Sequence, residues 1–195
     1  GDGSYTSWVQ ARFTSFFAAY GNDPVARYFY EESYSGRPLG SIESLLTLAA
    51  FDRAPPAEEP RLPPAKVYTQ QPMAFFRTGW RPGDTLVVMT NMRLQAGHEH
   101  FDRGSVIFEF NGEPLLLDPG MIFYGSPNMA QYRATCAHST LTFSQRNQLG
   151  TRVPYETAID AFLSTSGDRC PGLDGGIDWV VADVAAVYPE AEKVI

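Results

Sequence analysis

Histidine, cysteine and long apolar runs are all scarce in this chain of 195 residues, which holds three histidines and two cysteines. No stretch is apolar for long enough to cross a bilayer, and no basic-then-apolar leader opens the chain, which begins Gly1-Asp2-Gly3. A membrane span is therefore excluded as an expectation, whereas the missing leader carries little weight in a chain that does not start with methionine. Clusters of Lys and Arg are lacking too. With 15 basic against 22 acidic residues and a net charge of −7, the chain is a poor candidate for binding a phosphate backbone, so nucleic acid is not an expected partner. Arg77, Arg81, Arg93 and Arg133 could still face an anionic substrate locally. Cys136 and Cys170 are not in a C-x-x-C arrangement, and spacing alone does not say whether they meet. Cys136 stands two residues before His138, so a thiolate ligand is conceivable, but a small buried core residue is the expected role.

What is present reads as an α+β chain, mainly an antiparallel β-sandwich preceded by a few helices. Trp8, Val9, Phe13, Phe16, Phe17 and Tyr20 recur at helical spacing over 4–20. Asp23-Pro24 is an N-cap followed by proline at the first helical position, predicting a second helix to about Glu32, and Ser41 caps a third over 42–51. Residues 1–53 form this helical segment. Pro55, Pro56, Pro60, Pro63 and Pro64 then make 54–66 an extended connector. Over 67–195 the pattern becomes short strands: 74–78, 85–92, 105–110, 114–117, 139–143, 158–164 and 179–187. Turn signals divide them, among them Arg81-Pro82-Gly83-Asp84, Asn111-Gly112 and Asp118-Pro119-Gly120. Asn-Gly between two apolar runs predicts a two-residue hairpin.

The scarce histidines are concentrated. His98 and His100 are two apart, so an extended backbone projects both from one face, and His138 follows later. If the hairpin closes at Asn111-Gly112, Asp118 returns to the end of the strand pair near His100, and His138 arrives just before the next strand. His100, Asp118 and His138 are thus the candidate metal ligands, with His98 left to face a cleft. Neutral imidazoles and a carboxylate suit zinc, and three protein ligands leave a fourth position open. The bland alternative is a solvated histidine pair and a turn-forming aspartate.

Phe76-Arg77-Thr78-Gly79-Trp80, His98-Glu99-His100-Phe101-Asp102, Leu117-Asp118-Pro119-Gly120 with Tyr124, and Ala137-His138-Ser139-Thr140 occur in this order. The series resembles the sheet domain of the heparinase II/III-like polysaccharide lyases, whose motifs run R-S-x-W, H-x-H-x-D, D-x-G with a following tyrosine, and H-N-T, over roughly residues 70 to 145. The resemblance implies that the helices are the end of an α/α toroid and that 67–195 is a β-sandwich domain incomplete at its C-terminus. It implies zinc held by His100, Asp118 and His138 in a largely structural site, with His98 and Tyr124 as catalytic residues. Arg77, Tyr132 and Arg133 are the candidate substrate-binding residues. Ser139 departs from the family's asparagine, and the toroid's catalytic asparagine and tyrosine are not found.

The implied reaction is β-elimination from a uronic-acid glycan, such as alginate or a glycosaminoglycan: the C5 proton is removed and the 4-linked sugar leaves. A base, a neutraliser for the adjacent carboxylate and a proton donor for the leaving oxygen are required. The partner is then an anionic polysaccharide or oligosaccharide, an oligomer is possible, and the compartment is periplasmic or secreted. With part of the cleft absent, the isolated segment is expected to be a poor lyase. A non-catalytic carbohydrate-binding or scaffolding sandwich with a structural metal is the alternative. A cupin-type metalloenzyme would want a glutamate where Gly104 and Ser105 stand. A water-activating zinc hydrolase lacks a positioned general base, since Glu99 projects to the opposite face from the two histidines.

Overall fold

A computed structural model describes residues 21–34, 55–70, 72–91, 100–120, 122–149, 158–162 and 178–188. They fall into two compact units that divide between Leu62 and Pro63.

In the first unit, helix α1 spans Pro24–Tyr34. Asp23 caps it as its sequence predicts: Oδ1 accepts hydrogen bonds from the backbone N–H groups of Val25 (2.9 Å) and Ala26 (3.1 Å), satisfying donors that the first helical turn leaves unpaired. Arg27 pairs with Glu31 one turn on (2.7 Å) and donates to the Pro55 carbonyl (3.1 Å), tying the helix to the proline-rich segment. The helices predicted over 4–20 and 42–51 lie outside the described residues.

The second unit is built on a five-stranded antiparallel sheet in the order β1-β2-β3-β4-β5. Its strands are β1 Ala65–Tyr68, β2 Met73–Arg77, β3 Leu86–Thr90, β4 Ser105–Phe110 and β5 Glu113–Leu116. A separate antiparallel pair joins β6 Ala158–Phe162 to β7 Trp179–Asp183. Antiparallel strands with few helices are the expected fold class. Six of the seven expected strands are present to within a few residues; the seventh, 139–143, is not. That backbone forms turns, with only an isolated bridge between Phe143 and Arg146. Ser139 Oγ donates to the Leu117 carbonyl and Thr140 Oγ1 to that of Arg103, so side-chain hydroxyls take the place of ladder bonds. Conversely, β1 starts inside the connector expected over 54–66: Ala65 pairs with Phe76, and the Arg77 N–H donates to the Pro64 carbonyl (2.8 Å). Proline costs the ladder a donor, but at a sheet edge only one side needs donors.

Asn111 and Gly112 both have positive φ, 53° and 77°, the two-residue turn whose twist matches that of the flanking strands. Phe110 faces Glu113 across it, and a register shift at Phe108/Glu109 brings Phe108 opposite Leu116. The shift sets the exit of β5, and hence Asp118, beside the start of β4. One sheet face is packed at β1 and β2, where Ala65 and Ala74 are 3% and 0% exposed. At the other edge β5 is exposed along its length, and Leu115, Leu116 and Leu117 are 57%, 42% and 54% accessible. Asn91, just past β3, donates to the Asp183 carbonyl at the end of β7 (3.1 Å). There Val184, Val187 and Tyr188 form a buried cluster, where a fully buried valine contributes about 1.5–3 kcal/mol.

Candidate metal centre

Three chain segments converge at the β4–β5 end of the sheet. His100 comes from the loop that enters β4, Asp118 from the turn that leaves β5, and His138 follows a short helix, α2 Met129–Arg133, and a 3-10 turn over Thr135–Ala137. Each segment is fastened locally. Phe101 N–H donates to the Arg133 carbonyl (2.9 Å), joining the His100 loop to α2, and Val106 N–H donates to the Ser139 carbonyl (3.0 Å), joining β4 to the residue after His138. Asp118 Oδ1 accepts from the Gly120 N–H (2.7 Å), an Asx turn in which Gly120 takes φ +71°.

The result is a cluster in which one ligand atom from each of His100, Asp118 and His138 lies within 4.8 Å of the others. Both histidines are buried, 4% and 6% exposed, and their rings stand 5.1 Å apart at 45°. Asp118 Oδ2 is 3.2 Å from His138 Nδ1, yet this approach is not an aligned hydrogen bond. His100 Nδ1 and both ring nitrogens of His138 are buried without a hydrogen-bond partner. Buried polar atoms left in that state each cost about 1–3 kcal/mol, so a convergent set of them is a costly way to fill a core. A small divalent cation would satisfy the imidazole lone pairs beside the carboxylate, and the donor set suits zinc.

The electrostatics favour the ligating forms. Burial lowers the His100 pKa from its ordinary value, and the neighbouring His138 adds to this while Asp102 and Asp118 oppose it; the imidazole is kept neutral. Burial works against the Asp118 carboxylate, but the His138 ring beside it and the Gly120 N–H outweigh this and hold its pKa at about 2.

Behind the cluster stands a buried polar network that no sequence motif announced. Gln148, 2% exposed, accepts from the Arg103 N–H at Oε1 (2.8 Å) and donates from Nε2 to the Arg103 carbonyl and the Tyr188 hydroxyl (2.8 and 2.7 Å). Its own N–H donates to Thr135 Oγ1 (2.8 Å). One glutamine thus grips the chain three residues after His100 and three residues before His138. Arg103, also 2% exposed, donates to the His100 carbonyl and lies 3.5 Å from Asp102. Tyr188, whose pKa burial raises, passes the network on to the Leu141 carbonyl. Gln148 is 45 positions from Arg103 and 40 from Tyr188, which leaves no local spacing to recognise.

The other expected site residues are dispersed. Arg133 lies beside the His100 loop, its guanidinium carbon 5.9 Å from the Phe101 ring centroid, and Tyr132 precedes it in α2. Tyr124 is 55% exposed in the loop between Asp118 and α2. Arg77 is not brought to the triad: it ends β2, opposite Leu86, at the far end of the sheet, with β3 and β4 between it and β5. His98 lies outside the described residues. Cys136, expected to be buried, is a free and exposed thiol, because the 3-10 turn that carries it points Thr135 inward instead; it is not in the cluster. Cys170 lies outside the described residues.

A β-rich antiparallel domain with a buried His-Asp-His cluster at a hairpin exit is the class of molecule defined here. Residues 72–189 match the family described as "Heparinase II/III-like, C-terminal", and the chain belongs to that family. Among solved structures it is similar to the heparan sulfate lyase HepC from Pedobacter heparinus, with 17% identity and a TM-score of 0.53 over 91% of this chain and 25% of that one. A protein described as heparinase III, the BT4657 gene product, gives 17% identity and a TM-score of 0.55 over 83% of this chain and 23% of its own. At such identities the likeness is one of fold, and the chain spans about a quarter of the length of these structures. No curated protein sequence matches it. Among the described residues, no helix is long and apolar enough to cross a membrane.

Proposed function

We propose that this chain forms the β-domain wall of a polysaccharide lyase cleft, in which a zinc ion held by His100, Asp118 and His138 fixes the geometry of the wall. The observation that carries the reading is the cluster itself, in which His100 Nδ1 and both ring nitrogens of His138 are buried without a hydrogen-bond partner, within a heparinase-like family domain. Zinc would supply positive charge and a rigid junction between three loops. The reaction is β-elimination from a uronic-acid-containing glycan, in a periplasmic or secreted enzyme. His98, two residues before His100, serves as base or neutralises the uronate carboxylate, and Tyr124 returns a proton to the leaving oxygen. Tyr132 and Arg133, on the helix fastened to the His100 loop, would contact the anionic substrate.

The test uses the lyase that contains this chain, with heparan sulfate and alginate as substrates and the ultraviolet absorbance of the unsaturated product as readout. His98→Ala should lower turnover by about 10²–10⁴-fold while zinc, measured by atomic emission, stays at one per chain. Turnover unchanged by that substitution would sink the catalytic reading in favour of a carbohydrate-binding scaffold. Zinc absent from the purified protein and not taken up on addition would remove the metal.

A further inference from the structure

Away from the triad, at the β1–β2 edge, a pocket of about 350 Å³ is lined by Pro63, Lys66, Tyr68, Phe75, Arg77 and Trp80, with Pro64 and Met73 completing it. The antiparallel register explains the gathering. Lys66 lies opposite Phe75 and Tyr68 opposite Met73, and paired residues share a sheet face. Alternation along β2 then puts Met73, Phe75 and Arg77 on the face opposite buried Ala74. Toward the sheet centre this face is covered, since Val88, opposite Phe75, is 7% exposed; the opening is confined to the first two strands.

The lining has two chemical parts. Tyr68 and Phe75 meet edge to face at 5.9 Å and 88°, with Tyr68 half exposed. Lys66 Nζ stands 5.7 Å from the Tyr68 ring centroid, and the Arg77 guanidinium carbon lies 3.8 Å from that of Trp80. Stacking occupies the flat face of a guanidinium and leaves its N–H donors in the plane, where they match a carboxylate or sulfate. Asp84 acts on Arg77 electrostatically, but its carboxylate accepts the Arg81 N–H (2.7 Å) in the following turn and is not part of the pocket wall. In a chain of net charge −7, both charged side chains lining this pocket are cationic. The volume is in the range of small-molecule sites, about 300–1,000 Å³.

We infer that the β1–β2 pocket is a second, ancillary subsite that binds an acidic sugar unit of a glycan, with Lys66 and Arg77 taking its carboxylate or sulfate and Tyr68 and Phe75 taking its apolar ring face. β2 is three strand spacings from β5, roughly 14 Å across the sheet, so the subsite is separate from the metal centre. It goes beyond the lyase reading and needs neither zinc nor turnover.

Isothermal titration of the chain with a heparin-derived hexasaccharide and an alginate-derived hexauronate, at physiological salt, tests it, with cellohexaose as neutral control. Saturable binding of at least one acidic oligosaccharide is expected, weakened at least tenfold by Lys66→Gln combined with Arg77→Gln and by Tyr68→Ala, and unchanged by Leu115→Ser on the exposed β5 edge. Circular dichroism checks that each variant is folded, and Lys66→Gln alone, which leaves the Arg77–Trp80 stack in place, should still weaken binding if Arg77→Gln fails to fold. The inference is overturned if no acidic oligosaccharide binds, if cellohexaose binds equally well, or if binding survives loss of both cations. Loss of binding in His138→Ala with the pocket variants unaffected would also overturn it, by moving the glycan to the metal centre, and leaves the lyase reading standing.

Discussion

The two edges of the five-stranded sheet solve opposite electrostatic problems. At the β4–β5 end, three imidazole nitrogens are buried without a hydrogen-bond partner and converge with the Asp118 carboxylate. At the β1–β2 end, charged groups stay accessible and rest on aromatic rings, with hydrogen-bonding capacity directed outward. Buried acceptors ask for a cation that completes the fold, whereas exposed donors on rings ask for an anion that comes and goes. On the two proposals above, one sheet carries a structural demand at one end and a recognition surface at the other, and by linkage the more tightly held ligand of the first should contribute the larger share of stability.

The sharpest way to break this contrast is His138→Ala. It should lower zinc affinity more than 100-fold, beyond the 10–100-fold typical of groups behind a metal site, and the thermal midpoint should cease to respond to chelator. A variant that still holds stoichiometric zinc would show that the triad is not the site.

Next in size is Gln148→Ala. It removes hydrogen bonds to Arg103, Tyr188 and Thr135 from a buried setting, and should destabilise the chain by about 3 kcal/mol in urea unfolding. Zinc affinity should fall as well, because both histidine-bearing segments lose a shared anchor. Destabilisation without any change in zinc affinity would separate the network from the metal centre.

Gly79→Ala probes the other edge. A Cβ there would meet the Asp84 carboxylate at 2.2 Å, forcing it from its bond to the Arg81 N–H, for a cost of about 1 kcal/mol. The Arg77–Trp80 stack should loosen, visible as a shift of the Trp80 indole signal in NMR spectra, with zinc binding untouched.

The smallest effect is a pH slope in the metal-free chain. A His100 pKa below 6.5 in the folded state means that the unfolded chain binds more protons just below that value. Stability is therefore complete above about pH 6.5 and declines as pH falls toward the lowered value. Asp118 acts in the same direction lower down: its contribution is present above 3.8 and is lost as pH falls through about 2. His100→Gln should flatten the upper window only, a change readable in urea midpoints between pH 7 and 5.

How much of this was legible depends on the range of the interactions. Asn111-Gly112 encodes its turn locally, through two residues that tolerate positive φ, so the hairpin and the strands it joins could be read directly. His100, Asp118 and His138 could be gathered because that hairpin sets where Asp118 returns. Residues 139–143 are expected as a strand, but Ser139 and Thr140 spend their hydroxyls on neighbouring carbonyls and the segment turns instead. Proline density masked β1, because an edge position forgives what a central strand would not. Gln148 and Arg103 were invisible for a different reason: a buried amide bonding to distant backbone has no periodicity, and its meaning arises only when the segments meet.

The open edge has a consequence for handling the protein. Among the described residues, β5 presents an unpaired ladder together with Leu115, Leu116 and Leu117, the arrangement that templates strand addition between molecules. Pro114 removes one N–H from that ladder and Glu113 adds a charge, a partial safeguard against such pairing. Self-association of this chain should therefore be governed by the β5 edge, growing with concentration and receding when a lysine replaces Leu115.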